Sequence, residues 1–173
     1  MYQYFPNKDS ILLTLALAHL DEGTAVVRAG LTRVADGPVR LTEWLPVVVE
    51  GFTRLHADEP RLHRVLFEES PRPPELLDRF RLAEQEAVTA VAGLLRRDPD
   101  LDLPDPERTA RIVVAVVESL VHRLVGQGGG EAEELTGEIT TVVTGYLHAA
   151  ARRRPVTDPP TLPHHRGPTA YNG

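Results

Sequence analysis

The chain has 173 residues, of which 42% are hydrophobic and 25% charged, and it contains no cysteine. This length suits one domain with its own core, and the missing cysteines exclude disulfides, thiolate metal sites and cysteine nucleophiles. The formal net charge of −6 excludes DNA binding over a broad surface, because affinity for duplex DNA comes largely from basic side chains that neutralise phosphates.

Apolar residues recur at helical spacing in six segments, and we find no pattern typical of a sheet. The predicted helices, in chain order, comprise residues 8–35, 42–57, 61–69, 74–97, 106–126 and 131–154. Three of them follow candidate N-caps, at Asn7, Thr42 and Asp105. The fifth segment is rich in β-branched residues, but it is far longer than the usual strand of 5–6 residues and therefore predicts a helix.

The chain changes character after the sixth predicted helix. Five of its fifteen prolines lie between Pro155 and Pro168, with few apolar residues between them. A segment of this composition cannot bury enough apolar surface to fold. We therefore expect a disordered tail over residues 155–173.

The sequence also bears on where the protein is found. No apolar run approaches the roughly 20 residues that span a bilayer, and residues 1–8 lack the basic and then apolar layout of a secretion signal. We expect a cytoplasmic protein without a membrane partner.

Residues 2–12, YQYFPNKDSIL, resemble the end of the helix-turn-helix domain in the TetR family of transcriptional regulators. Residues 105–110 and 118–122 look like the family's penultimate helix, and the order of helices also agrees. The resemblance implies an all-α, six-helix ligand-binding and dimerisation domain over residues 10–154. Residues 1–9 would then be a remnant of the DNA-binding domain.

The resemblance also implies roles for three side chains near the N-terminus. Tyr2, Tyr4 and Lys8 would contact DNA phosphates, which fix the register of such domains on the duplex. Without the family, these tyrosines and Phe5 could equally cap a core. The base-reading helices that precede this point in the family are absent from the chain, so we expect operator DNA to be a partner only when they are present.

Catalytic and metal-binding patterns are weak. The histidines show no HxxxH or HExxH spacing, and the serines lack a nucleophile-elbow context. The glycine-rich segment 126–130 has no adjacent Lys-Ser or Lys-Thr and does not follow a strand. We therefore expect no enzyme activity, no cofactor and no metal.

A pocket between helices is the better hypothesis, because such pockets combine apolar walls with a few polar groups. The predicted lining residues are Trp44, Phe52, His56, His63, Phe67, Phe80 and Glu84. A hydrophobic small molecule would suit them. The alternative, that the aromatic side chains belong to the core, stays open.

The last two predicted helices are the candidates for self-association. Both are strongly apolar, and pairing with a second copy would form a four-helix bundle. The predicted interface consists of Val113, Val117, Leu120, Leu124, Ile139, Val142, Val143 and Tyr146. The alternative, that one face of these helices is only core within a single subunit, stays open, and both can hold because the fifth predicted helix is apolar all round.

Two functions follow from these patterns. The first is a TetR-type regulator, a repressor, whose effector changes the spacing of two DNA-binding heads. The second is a headless protein that dimerises and binds ligand without binding DNA.

Overall fold

The computed structural model describes residues 7–32, 39–57, 65–66, 72–126 and 131–152. These ranges contain five long helices: α1 (Lys8–Thr32), α2 (Leu41–Ala57), α3 (Pro74–Arg97), α4 (Pro106–Gly126) and α5 (Ala132–Ala151). They contain no strand, so the all-helical prediction is confirmed. The predicted helix at 61–69 lies outside the described residues except for Val65 and Leu66, which are helical, and the count of six is not confirmed. The predicted tail also lies outside them.

Two of the predicted N-caps are present. The backbone N–H of Ser10 donates to Asn7 Oδ1 over 2.9 Å at the start of α1. At the start of α4, the N–H of Arg108 donates to Asp105 Oδ1 over 2.9 Å. Each bond satisfies a donor that the first turn of a helix leaves without a partner.

The predicted cap of α2 is wrong. Thr42 lies one residue inside the helix, which begins at Leu41. The N–H of Leu41 instead donates over 2.6 Å to Asp98 Oδ2, a buried carboxylate that follows α3. The other oxygen of Asp98 accepts the N–H of Asp100 over 2.9 Å. The loop after α3 therefore fixes the start of α2.

The main core lies between α2, α3, α4 and α5, and buried residues of the two loops at its end, Val39, Leu101 and Leu103, complete it. α1 packs against α2 and α3 on the other side. A smaller cluster joins Leu12 and Ala16 of α1 to Leu66 and Leu76. This arrangement leaves a space between α1 and the main core.

From the sequence we expect no apolar segment long enough to span a bilayer, and α1 differs from that expectation. Between Lys8 and Gly30 it is long and apolar enough, by length and composition, to cross a membrane. Core helices of soluble proteins meet the same criterion. In this fold α1 packs against α2 and α3, forms ion pairs with Arg79 and Glu86 of α3 through Asp21 and Arg28, and directs His19 into a cavity.

Candidate ligand pocket

A cavity of about 780 Å³ lies between α1, α2, α3 and the middle of α4. Its size falls within the usual range for small-molecule pockets. The apolar part of its wall includes Ala16, Leu20, Val27, Phe52, Leu55, Leu66, Leu76, Leu77, Phe80 and Ala83. Burial of apolar surface is therefore the main contribution that this cavity can offer a ligand.

Three histidines from three helices meet at the cavity. The ring of His56 on α2 lies 5.0 Å from that of His19 on α1 and 4.6 Å from that of His122 on α4, both edge to face. Phe52 stacks beside this cluster, with its ring centroid 4.8 Å from His56. The cluster forms one of the polar parts of a mainly apolar wall.

His56 is held in one tautomer by a backbone contact. Its Nδ1 lies 2.7 Å from the carbonyl oxygen of Phe52, so Nδ1 carries the hydrogen and donates it, and Nε2 is an acceptor. Burial, aided by neighbouring His19, lowers the pKa of His56 to about 4 despite this hydrogen bond. Burial also lowers the pKa of His19. Both rings are therefore neutral at pH 7.

Glu118 brings a carboxyl group to the same wall. It lies one turn before His122 on α4 and is partly buried. Burial, and then the nearby carboxylate of Glu84 on α3, raise the pKa of Glu118 to about 7. Removing a carboxylate from water disfavours its charged form, and a second negative charge adds to that effect.

Comparison with known families identifies the domain that holds this cavity. The profile of the tetracyclin repressor-like C-terminal domain matches residues 41–147, well over half of the chain. The chain belongs to this TetR family. Comparisons with curated proteins and with solved structures gave no match.

The TetR-like domain places four of the seven predicted pocket residues at the cavity: Phe52, His56, Phe80 and Glu84. The prediction for Trp44 is wrong, because this side chain is only 1% exposed and packs in the main core. One face of α2 meets the core and the other meets the cavity, and Trp44 lies on the first. His63 and Phe67 lie outside the described residues.

Several cavity residues were not predicted, among them His19, Glu118 and His122. The sequence carried one usable signal for two of them. Glu118 and His122 are polar, are spaced four apart and interrupt the apolar positions of α4, so they share one face of it. His19 had no comparable signal.

Two ion pairs connect α1 and α3, and one of them, Arg28–Glu86, lies in the wall of the cavity. Arg28 contacts Glu86 over 2.9 Å, and Arg79 contacts Asp21 over 2.7 Å. All four side chains are largely exposed, so the pairs contribute little to stability. They do place α1 against α3 at fixed points along its length.

Only one of the three residues predicted to contact DNA phosphates is among the described residues. Lys8 is exposed at the first position of α1. Tyr2 and Tyr4 lie outside the described residues. The proposed phosphate contacts therefore stay predictions.

Part of the predicted dimer interface is wrong. Val113, Ile139 and Val143 are buried within the subunit and have no surface left for a second copy. Four of the other residues are partly buried against the core: Val117, Leu120, Leu124 and Tyr146. Val142 is 50% exposed. The sequence showed that α4 and α5 are apolar but not which of their faces meet inside one chain.

Within the described ranges, no three histidine or acidic side chains are arranged to bind a metal ion. The three imidazoles of the cluster meet edge to face, as the ring contacts show, rather than around a common centre.

Proposed function

We propose that the chain is the effector-binding and dimerising part of a cytoplasmic TetR-type repressor. One observation carries this proposal: the cavity is lined along one side by α1, the helix that directly follows the segment resembling the end of a helix-turn-helix domain. His19, Leu20 and Val27 of α1 belong to the wall. A molecule in the cavity therefore touches the element that leads to the DNA-binding end.

Contact alone does not make a switch. An effector changes DNA binding only if it has different affinities for the two positions of α1. The contacts of α1 allow such a difference, because α1 meets the rest of the domain through α2, α3 and the small cluster around Leu12. Operator binding itself requires the base-reading helices that precede residue 2 in the family.

Effector binding can be tested with a neutral fluorescent probe, N-phenyl-1-naphthylamine. We expect saturable binding to the purified chain and loss of binding in Ala83→Trp, which fills the cavity. Ala18→Trp is the matched control, because Ala18 is exposed on α1 and does not line the cavity. Equal binding by both variants would contradict an effector site here.

The role in transcription needs a second measurement. We expect no specific gel shift of promoter DNA by this chain alone, and a shift once an in-frame helix-turn-helix is restored before Tyr2. The shift should then respond to a cavity ligand and not respond in Ala83→Trp. If the protein with the added helix-turn-helix did not bind DNA, this result would favour the alternative, a protein that dimerises and binds ligand without binding DNA.

A further inference from the structure

The wall of the cavity contains more carboxylates than guanidinium groups. Its wall includes three carboxylates, from Glu84, Glu86 and Glu118, and two guanidinium groups, from Arg28 and Arg72. Glu86 is paired with Arg28 at the outer edge. Within the described ranges, neither Glu84 nor Glu118 forms an ion pair or a side-chain hydrogen bond.

Positive charge around these two carboxylates is limited. On the cavity side, the titratable groups that α1 and α2 place in the wall are His19 and His56, whose pKa values burial lowers, and Arg28, which pairs with Glu86. A groove on the other side of Glu84 carries three arginines: Arg81 pairs with Asp78, Arg96 pairs with Glu107, and Arg111 forms no ion pair within the described ranges. Glu84 therefore shares this groove with one unpaired arginine, whereas Glu118 does not line it.

A partly buried carboxylate without a partner raises the free energy of the protein, because it loses hydration and forms no ion pair or hydrogen bond that replaces it. Burial favours the protonated, uncharged form of Glu118, which is why the pKa of its carboxyl group is raised. A cation bound beside Glu118 and Glu84 would offset both the lost hydration and the repulsion between the two carboxylates.

The neighbouring groups also favour a positive ligand. The fixed tautomer of His56 presents an acceptor at Nε2, and neutral imidazoles supply no charge for an anion. Phe52 and Phe80 present aromatic rings, whose faces attract cations. The two arginines that an anion would need, Arg28 and Arg72, are exposed and already have interaction partners.

We infer that the effector is an organic cation with an apolar body, bound with its charge beside Glu118 and Glu84 and its body against Phe52, Phe80 and the leucines of α1 and α3. This inference rests on the proposed effector-binding function and names the chemical class of the effector.

Two probes of equal shape and opposite charge test the inference. Tetraphenylphosphonium and tetraphenylborate each carry four phenyl groups around a central charge. Isothermal titration calorimetry of the native chain should show that the phosphonium ion binds at least tenfold more tightly than the borate ion, since only the former can neutralise the two carboxylates.

Neutral variants of the same shape identify the residues responsible. Glu118→Gln should weaken binding of the phosphonium ion about tenfold, because one opposite charge in a poorly hydrated site is lost. Glu84→Gln should weaken it less, since this side chain is exposed. Glu133→Gln changes the net charge equally on the exposed face of α5, away from the cavity, and should leave the affinity unchanged.

The dependence on pH gives an independent readout. Tetraphenylphosphonium does not titrate, so its affinity for the native chain should rise by up to about tenfold between pH 6 and pH 8 as Glu118 loses its proton. Glu118→Gln should remove most of this rise. The other titratable groups that line the cavity include Glu84, His19, His56 and His122.

The outcomes separate this inference from the proposed function. Tighter binding of the borate ion, or equal loss of affinity in Glu118→Gln and Glu133→Gln, would overturn the cationic effector and leave the cavity as an effector site. Failure of both ions and of N-phenyl-1-naphthylamine to bind would overturn both. If Glu118→Gln does not fold by circular dichroism, Glu84→Gln and the pH dependence of the native chain decide.

Discussion

His56 and Glu118 face one cavity, and the protein shifts their pKa values in opposite directions. The pKa of His56 falls from 6.5 to about 4, so between these values the unfolded chain binds a proton that the folded chain does not. His56 therefore stabilises the fold increasingly as the pH rises through this window. The pKa of Glu118 rises from 4.5 to about 7, so there the folded chain holds the extra proton, and stability falls as the pH rises.

These two contributions oppose each other, each amounting to roughly 3 kcal/mol at about 1.4 kcal/mol per pKa unit. We predict that the free energy of unfolding changes little between pH 5 and pH 6.5 in the native chain. In Glu118→Gln it should rise with pH over this range, because only the histidines still contribute. In His56→Phe it should fall, because the contribution of Glu118 then dominates.

Urea unfolding at pH 5, 5.5, 6 and 6.5, at one protein concentration, measures these slopes. His148→Gln serves as the control, since His148 is exposed on α5 and does not line the cavity. Its slope should match that of the native chain. If the free energy of unfolding changed with pH in the same direction in Glu118→Gln and His56→Phe, the two groups would not make opposing contributions to stability.

At the scale of the helices, Asp98 connects two elements that are distant in sequence. Its buried carboxylate accepts the N–H of Leu41, 57 residues earlier, and that of Asp100. We predict that Asp98→Ala lowers the free energy of unfolding by about 2 kcal/mol, because a buried helix end loses its acceptor.

The matched substitution Asp105→Ala removes the exposed cap of α4 and should cost only about 1 kcal/mol. Urea denaturation of both variants measures the difference. Asp98→Asn keeps one acceptor oxygen and should fall between Asp98→Ala and the native chain. Equal losses in the two alanine variants would mean that the contact with α2 adds nothing to an ordinary cap.

The contact between α1 and α2 depends on the absence of a side chain at Gly51. A Cβ at this position would lie 2.7 Å from Cγ1 of Val26, which is too close for carbon atoms. Alanine normally stabilises a helix by up to about 1 kcal/mol relative to glycine. We predict that Gly51→Ala nevertheless destabilises the protein by about 1–2 kcal/mol, because the overlap exceeds that gain.

Gly93→Ala is the matched control within α3, where a new Cβ meets nothing within 4 Å. It should raise the free energy of unfolding by about 0.5–1 kcal/mol. Thermal and urea unfolding of the pair measure the difference. Stabilisation by both substitutions would show that α1 shifts at no cost, and therefore that its position against α2 is not fixed by this contact.

The helices themselves were predictable because their signals are local. Asn7 and Asp105 cap the turns that directly follow them, and apolar spacing extends along each segment. The cap of α2 was not predictable, because Asp98 reaches it only through the folded chain. Thr42 is a residue type that caps helices and lies next to the start of α2, but the buried carboxylate of Asp98 accepts the hydrogen bond there instead.

The candidate site was half predictable for a similar reason. Aromatic residues and histidines predicted a pocket, yet Trp44 is buried in the main core, whereas Phe52, about two turns later on α2, packs against that core and also lines the cavity. Because residues eight apart on a helix point within about a quarter turn of each other, sequence spacing does not show which of the two reaches the cavity. Glu118 gained its unusual environment only when α3 brought Glu84 close.

At the scale of the whole molecule, α4 and α5 keep an apolar surface that their own subunit does not cover. Ile112 is 37% exposed and Val142 is 50% exposed. The exposed residues Ala115 and Gly145 on the same two helices are small, so another helix could approach closely. Because Val113, Ile139 and Val143 are buried, a dimer through these helices would use this outer surface, which contains one residue of the predicted interface, Val142.

We predict that the native chain sediments as a dimer at micromolar concentration and that Val142→Glu sediments as a monomer with unchanged helicity. A charge at this position would have to lose water in a twofold interface, where the same position of the second copy repeats the cost. Ile11→Glu places the same charge on an exposed apolar residue of α1 and should remain dimeric. A native monomer would contradict the predicted dimer, and a dimer that persists in both Val142→Glu and Ile112→Glu would place the contact elsewhere. Such an outcome would also remove the basis for transmitting a movement of α1 to two heads at a set separation, because that separation depends on how the two subunits pair.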